Sequence, residues 1–182
     1  KSSRRKRNIL SMEAKVVVLG PQHKEAKKNF KCGTDILDKY LAHFALQDQQ
    51  KKLSVCFVLE SPSGEIIGYY TLSASSIDAK NTNDQRFMPF KTNYRTLPTI
   101  LIGRFAIDLN YKGKGFGKKL LSDALKRCTL QANQIGACAV FVEPKDAAAR
   151  EFYLKFGFKN LPDQRKLFIT MQQLNQIYIV FH

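Results

Sequence analysis

The chain has 182 residues, 44% of them hydrophobic, and a formal net charge of +15 from 30 basic and 15 acidic side chains. The length and apolar content allow a single domain with a filled core, and no apolar run approaches the ~18–20 residues that span a bilayer, which argues against a membrane partner. The charge calls for a polyanion: a phosphorylated cofactor would use part of it, and nucleic acid is the natural second partner.

Residues 1–11 hold Lys1, Arg4, Arg5, Lys6 and Arg7 and no acid. They read as a basic arm, disordered and outside a single domain over residues 12–182. The basic start has no apolar run after it, so no secretory signal is expected. Lys15–Leu19 reads as a first strand. Thr34 is placed to cap a helix over Asp35–Gln49, with Ile36, Leu37, Tyr40, Leu41, Phe44 and Ala45 on one face. Val55–Leu59 and Ile66–Ser73 read as strands joined at Ser61–Gly64, a hairpin composition. Tyr69 and Tyr70 alternate there, so one is expected in the core and the other in a groove. Residues 78–98 are polar and form a long connection.

Thr99–Ile107 reads as a central strand. A helix to about Asn133 follows, with Phe116, Leu120, Leu121, Ala124, Leu125 and Cys128 on its apolar face. Ala137–Val142 is a strand, Asp146–Lys155 a short helix stopped at Gly157, and Leu167–Thr170 a strand. The apolar end, Ile177–His182, reads most simply as a further strand; a homodimer contact or a partner-facing patch are the alternatives. The element order gives a mixed α/β fold. Cys32, Cys56, Cys128 and Cys138 have no CxxC spacing and the three histidines no ligand spacing. No metal is expected, and buried thiols suit a reducing cytoplasm.

The most informative stretch is Gly103–Asp108 followed by Lys112-Gly-Lys-Gly-Phe-Gly117. Gly113, Gly115 and Gly117 let the backbone press against a ligand. The helix after them aims its free N–H groups at the same place, which suits a phosphate or pyrophosphate. Lys112, Lys114, Lys118 and Lys119 add positive charge around the turn.

Residues 99–158 resemble the GNAT N-acetyltransferase superfamily. Its cofactor motif is Arg/Gln-x-x-Gly-x-Gly/Ala, matched from the second half onward by Lys112–Gly117, with Lys112 where Arg or Gln is usual. A cation is kept but its planar fork is lost. Arg150-Glu-Phe-Tyr153-Leu-Lys-Phe-Gly157-Phe is similar to the family's second motif. A closer resemblance covers most of residues 15–170. Phe30-Lys-Cys-Gly-Thr-Asp-Ile-Leu-Asp38, Gly68–Ala74 and Leu101–Asp108 look like segments of the GNAT toxins of type II toxin–antitoxin pairs.

The resemblance implies a GNAT fold: a mixed, mostly antiparallel central sheet flanked by helices. It implies acetyl-CoA as donor, the α-amine of aminoacyl-tRNA as acceptor, translation arrest, and a ribbon-helix-helix antitoxin. It implies that the turn, Lys112, Gly113, Lys114, Gly115, Phe116, Gly117 and Lys118, holds the diphosphate. Phe105, Ala106 and Ile107 would pair by backbone with the pantetheine. Tyr153 is the expected general acid: a phenol titrating near ~10 stays neutral and can protonate a departing thiolate of pKa near ~8.5. Glu143 is the best-placed carboxylate for a base, yet an ester-linked α-amine, with pKa below ~7.7–8.0, is already largely neutral, so water suffices. Arg104 is either an ion-pair partner or a contact to the acceptor stem, and Lys27, Lys28, Lys31, Lys91 and Arg95 are candidates for RNA phosphates. The alternatives are a GNAT enzyme acting on a protein amine or a small amine, and a non-catalytic GNAT-fold binding module. The positive charge opposes a cationic small acceptor.

Overall fold

The computed structural model describes residues 13–79, 93–161 and 165–180, with only the backbone of 178–180. The basic arm and most of the polar connection lie outside the described residues. The chain order is β1 (Lys15–Val18), a 3-10 turn (Pro21–His23), α1 (Ala26–Asn29), α2 (Asp35–Lys39), a π turn (Tyr40–Phe44) and α3 (Ala45–Gln50). Next come β2 (Val55–Glu60), β3 (Ile66–Asp78), β4 (Thr96–Ile107), a 3-10 turn (Leu109–Tyr111) and α4 (Phe116–Ile135). β5 (Ala139–Val142), α5 (Ala147–Leu154), β6 (Lys159–Asn160), β7 (Leu167–Thr170) and α6 (Met171–Val180) complete it.

The strands form one sheet in the order β1-β2-β3-β4-β5-β7-β6. β1/β2, β2/β3, β5/β7 and β6/β7 are antiparallel, while β4 and β5 are parallel. The parallel ladder runs from Thr99↔Ala139 to Ile102↔Val142, and β4 continues five residues beyond it to Ile107. The expected mixed, mostly antiparallel sheet with flanking helices is what forms.

The chain divides into two compact units: residues up to Ser73 with Arg104–Ala124, and Ala74–Gly103 with the residues from Leu125 onward. In the first unit α2, the π turn and α3 cover the sheet around Phe30, Tyr40, Leu41 and Tyr69. Tyr69 and Tyr70 are both fully buried, so neither faces a groove. Tyr69 donates to the Leu37 carbonyl at 2.8 Å, and Tyr70, on the other face, donates to Asp123 and stacks on Phe57. A buried phenol needs such an acceptor, and both find one. In the second unit Leu97, Ala139, Phe141, Leu161 and Phe168 form the core.

The helix after the glycine turn buries all six residues of its expected face. The helix after Thr34 departs from an even stripe. Asp38 is buried because its carboxylate accepts the Cys32 N–H at 2.8 Å, which leaves Ile36, about 200° away, on the outside at 78% exposure. The π turn then shifts the helical phase, so Ala45 is buried and Phe44 is half out. β3 and β4 extend into the polar connection, to Asp78 and from Thr96. Met171–Val180 is helical, so Ile177 to Val180 do not form the strand their apolar side chains suggest, and the last two residues of that expected strand lie outside the described residues. Thr170 and Gln173 form a reciprocal cap: the Gln173 N–H donates to Thr170 Oγ1 at 3.2 Å, and the Thr170 N–H to Gln173 Oε1 at 3.1 Å. Thr-x-x-Gln is a helix-start signature, and it outweighs the β-branched residues that follow.

Candidate active site

The turn at the end of β4 is built on Asp108, which is 5% exposed. Its backbone N–H donates to the Ile67 carbonyl of β3, which fixes where the strand ends. Its carboxylate accepts the Asn110 N–H at 2.9 Å and so caps the 3-10 turn Leu109–Tyr111. The other carboxylate oxygen accepts the Lys31 N–H at 2.9 Å, from a segment 77 residues away in sequence. Gly113 and Gly115 have φ of +70° and +89°, the left-handed region where a Cβ is strained. A Cβ at either would meet nothing within 4 Å. These glycines are therefore required for backbone direction, and the outer face of the turn is open. The first amides of α4, from Phe116 to Lys118, have no acceptor inside the helix.

Phe116 anchors the start of the helix: it is 2% exposed and meets Tyr111 edge-on at 5.7 Å. Tyr111 donates to Glu65 at 3.0 Å. Burial and that donation hold its phenol up at about 12. Of the four lysines around the turn, three have their ammonium on backbone carbonyls. Lys112 donates to Cys32 O at 2.6 Å, Lys114 to Asn110 O and Lys119 to Ala14 O. Lys118 is exposed.

Close approach of the strands underlies the turn. A Cβ on Gly68 would lie 2.8 Å from the Ala106 carbonyl oxygen and 2.5 Å from Ile107 Cδ1. Ala106 is buried, with Phe105 and Ile107 half-buried on either side of it. Arg104 is held by an aromatic face, its guanidinium 3.5 Å from the Tyr40 ring centroid. Tyr40 in turn donates to Asp48 at 3.0 Å. Lys27 and Lys28 lie on α1, Lys28 paired with Glu25 at 3.1 Å, and Lys31 is exposed just after it.

Tyr153, Glu143 and Arg95 belong to the second unit. α5 presents Tyr153 because Asp146 caps the helix, accepting the Ala149 N–H at 2.7 Å. Tyr153 is 6% exposed, with the Phe152 and Phe158 rings each 5.4 Å away. Burial among these rings pushes its hydroxyl well above the ordinary phenol range. The phenol is therefore neutral throughout the physiological range. Glu143 has a 60% exposed side chain and lies 3.7 Å from Lys166. Arg95 is exposed, and Lys91 falls outside the described residues.

The structure therefore gathers the glycine turn, the end of β4, Arg104 and Lys27, Lys28 and Lys31 in one unit. Asp108, which organises the turn, and Gly68, which lets β3 approach β4, stand out only in three dimensions. An Asp two residues before Asn110 is a turn signal, but its bond to Lys31 has no local pattern.

Residues 52–160 match the acetyltransferase (GNAT) domain family. The chain belongs to the GNAT acetyltransferase family. Among its relatives is a tRNA-acetylating toxin of Mycobacterium tuberculosis, 34% identical over 147 residues that cover 79% of this chain and 85% of that protein. A probable toxin TacT of Sinorhizobium fredii is 28% identical, over 73% of this chain and 77% of that one. Solved GNAT structures share the fold. A tyrosine-to-phenylalanine variant of KacT superposes with a TM-score of 0.83 at 23% identity, over 91% of this chain and 99% of its own. AtaT in complex with acetyl-methionyl-tRNAfMet gives 0.81 at 24% identity, over 93% and 99%. Among the described residues no group of His, Cys, Asp and Glu is arranged to hold a metal ion, and no helix is long and apolar enough to cross a membrane.

Proposed function

We propose that this GNAT protein is the toxin of a toxin–antitoxin pair, and that it moves the acetyl group of acetyl-CoA to the α-amine of an aminoacyl-tRNA, stopping translation. The observation that carries the reading is 34% identity, over most of both chains, to a protein named for acetylating tRNA. The net charge of +15 agrees with a polyanionic substrate. AtaT has been solved with the C-terminus of its antitoxin AtaR, which supports an antitoxin here. We take that partner to be a ribbon-helix-helix protein, and the site of action to be the cytoplasm, where charged tRNA is found.

In this reading the amides of Gly113–Lys118 hold the diphosphate of the donor, each charge-assisted hydrogen bond contributing roughly 1.5–3 kcal/mol. The backbone of Phe105–Ile107 pairs with the pantetheine as an added strand would. Arg104, Lys27, Lys28, Lys31, Lys91 and Arg95 meet the tRNA. The acceptor nitrogen bonds to the acetyl carbon as the C–S bond breaks. The Tyr153 hydroxyl gives its proton to the departing sulfur, the nitrogen loses its extra proton to water, and Tyr153 is reprotonated from solvent. Glu143 is not needed, since the ester-linked amine arrives neutral.

Incubation of the protein with labelled acetyl-CoA and charged tRNA, followed by mass spectrometry of the aminoacyl end, tests the substrate; label confined to protein or to small amines would refute it. Tyr153→Phe is expected to lower kcat by roughly 10²–10⁴ while acetyl-CoA still binds. Full activity in that variant would remove Tyr153 from the mechanism.

A further inference from the structure

Lys112 occupies the position where the family's motif carries Arg or Gln, and its ammonium is committed elsewhere. It donates at 2.6 Å to the carbonyl of Cys32, a residue 80 positions earlier that is itself buried. Two more hydrogen bonds join the same two segments. The Lys31 N–H donates to Asp108 Oδ2 at 2.9 Å, and the Leu109 N–H donates to the Lys31 carbonyl at 2.8 Å. The Cys32 N–H is fixed in turn by Asp38 at 2.8 Å. The three cross-bonds bracket Asp108–Lys112 at both ends, and the left-handed Gly113 follows directly. A compact ammonium is satisfied by a carbonyl, whereas a guanidinium fork is shaped for two phosphate oxygens. Lysine at this position therefore suits the carbonyl better than the phosphate.

We propose that Lys112 and Asp108 are positioning residues: they clasp the cofactor turn to the Lys31–Cys32 segment, and Lys112 holds the turn in place of contacting the diphosphate. The proposal rests on the reading that the amides of Gly113–Lys118 bind acetyl-CoA. It also ties the donor site mechanically to the segment that carries Lys27, Lys28 and Lys31, so the two substrates act on one hydrogen-bonded unit.

The test is Lys112→Met, with Asp108→Asn as the second variant, read in two ways. The first is amide hydrogen exchange of the ligand-free protein. Loss of the clasp should speed exchange at Lys31 and Leu109 by roughly tenfold or more. The second is the acetyl-CoA KM at several ionic strengths. For Lys112→Met the KM should rise roughly 5- to 10-fold with kcat retained, and its dependence on salt should match the wild type, because no phosphate contact has been removed. Unchanged exchange at both amides would overturn the clasp. A flattened salt dependence would show Lys112 to be a direct diphosphate contact and would overturn it equally. Absence of acetyl-CoA binding by the wild type would instead refute the cofactor-turn reading, and the exchange experiment would still decide whether the clasp exists. If Asp108→Asn does not fold, Lys112→Met decides alone, since its side chain leaves from an exposed position.

Discussion

At the residue scale, the turn shows why side-chain identity matters unevenly around a backbone site. Gly115 has φ of +89° and open space where a Cβ would stand. Gly115→Ala therefore meets no clash, only the left-handed strain of about 1–2 kcal/mol. That strain should appear as a turn that shifts its amides: an acetyl-CoA KM raised roughly tenfold, since ~1.4 kcal/mol is a factor of ten, with little change in kcat. Steady-state kinetics check this, and a wild-type KM would show that the amide directions are unimportant. Tyr153 is the opposite case: in the proposed mechanism one hydroxyl and its protonation would matter. Its burial raises the pKa, which favours the neutral phenol that acid catalysis needs. The activity carried by Tyr153 should therefore persist as pH rises to the ordinary phenol value of ~10.

Among elements, Gly68 of β3 leaves no room for a Cβ against β4 and α4. Leu120 Cδ2 would lie 3.1 Å from a Cβ there, with the Ala106 carbonyl oxygen nearer still. A backbone oxygen in a sheet cannot swing aside as a side-chain tip can. Gly68→Ala should cost about 1–3 kcal/mol of stability and displace the end of β4 that leads into the turn. Denaturant melts of the two proteins measure the cost, and equal midpoints would show that the strands give way freely. The elements themselves were largely legible. The α4 face, the short helix ending before Gly157 and the hairpin at Ser61–Gly64 follow from periodicity and turn chemistry, while the role of Asp146 as that helix's cap is seen only in the structure. The π turn was not legible, because one extra residue per turn depends on what Asp38 and Tyr40 bond to. Nor was α6, where the capping pair Thr170 and Gln173 is short and the apolar run is long.

At the scale of the whole molecule, burial sets the response to alkali. Cys56 and Cys128 are both 0% exposed, and burial pushes each thiol up to about 12 from an ordinary 9.0. The unfolded chain releases these protons at lower pH than the folded one. The stability they contribute is present in full below the unfolded pKa and is lost as pH climbs toward the folded value. Tm should therefore fall between pH 9 and 12, and Cys128→Ala should flatten the fall while costing stability at neutral pH. Melting curves across that range test it; a flat profile would show these thiols to be ordinary. Glu60 works in the other direction. Burial alone would raise its pKa, but hydrogen bonds from His23 and Lys15 outweigh burial and hold it low. Its contribution is present above the unfolded carboxylate pKa and is lost in acid.

The glycine turn, the helix after it, the alternating strands and the family resemblance can all be read along the chain, because each is written in neighbouring residues with a fixed spacing. Folding in three dimensions sets the rest: Lys112 turns to the Cys32 carbonyl, Asp108 takes the Lys31 N–H, and Tyr69 and Tyr70 both go inside. For Lys112, Asp108 and Tyr69 those choices join residues far apart in the chain through hydrogen bonds to backbone atoms, while Tyr70 reaches the Asp123 carboxylate, 53 residues on. Every residue type carries a carbonyl and nearly every one an N–H, so the sequence holds no mark of which will be taken.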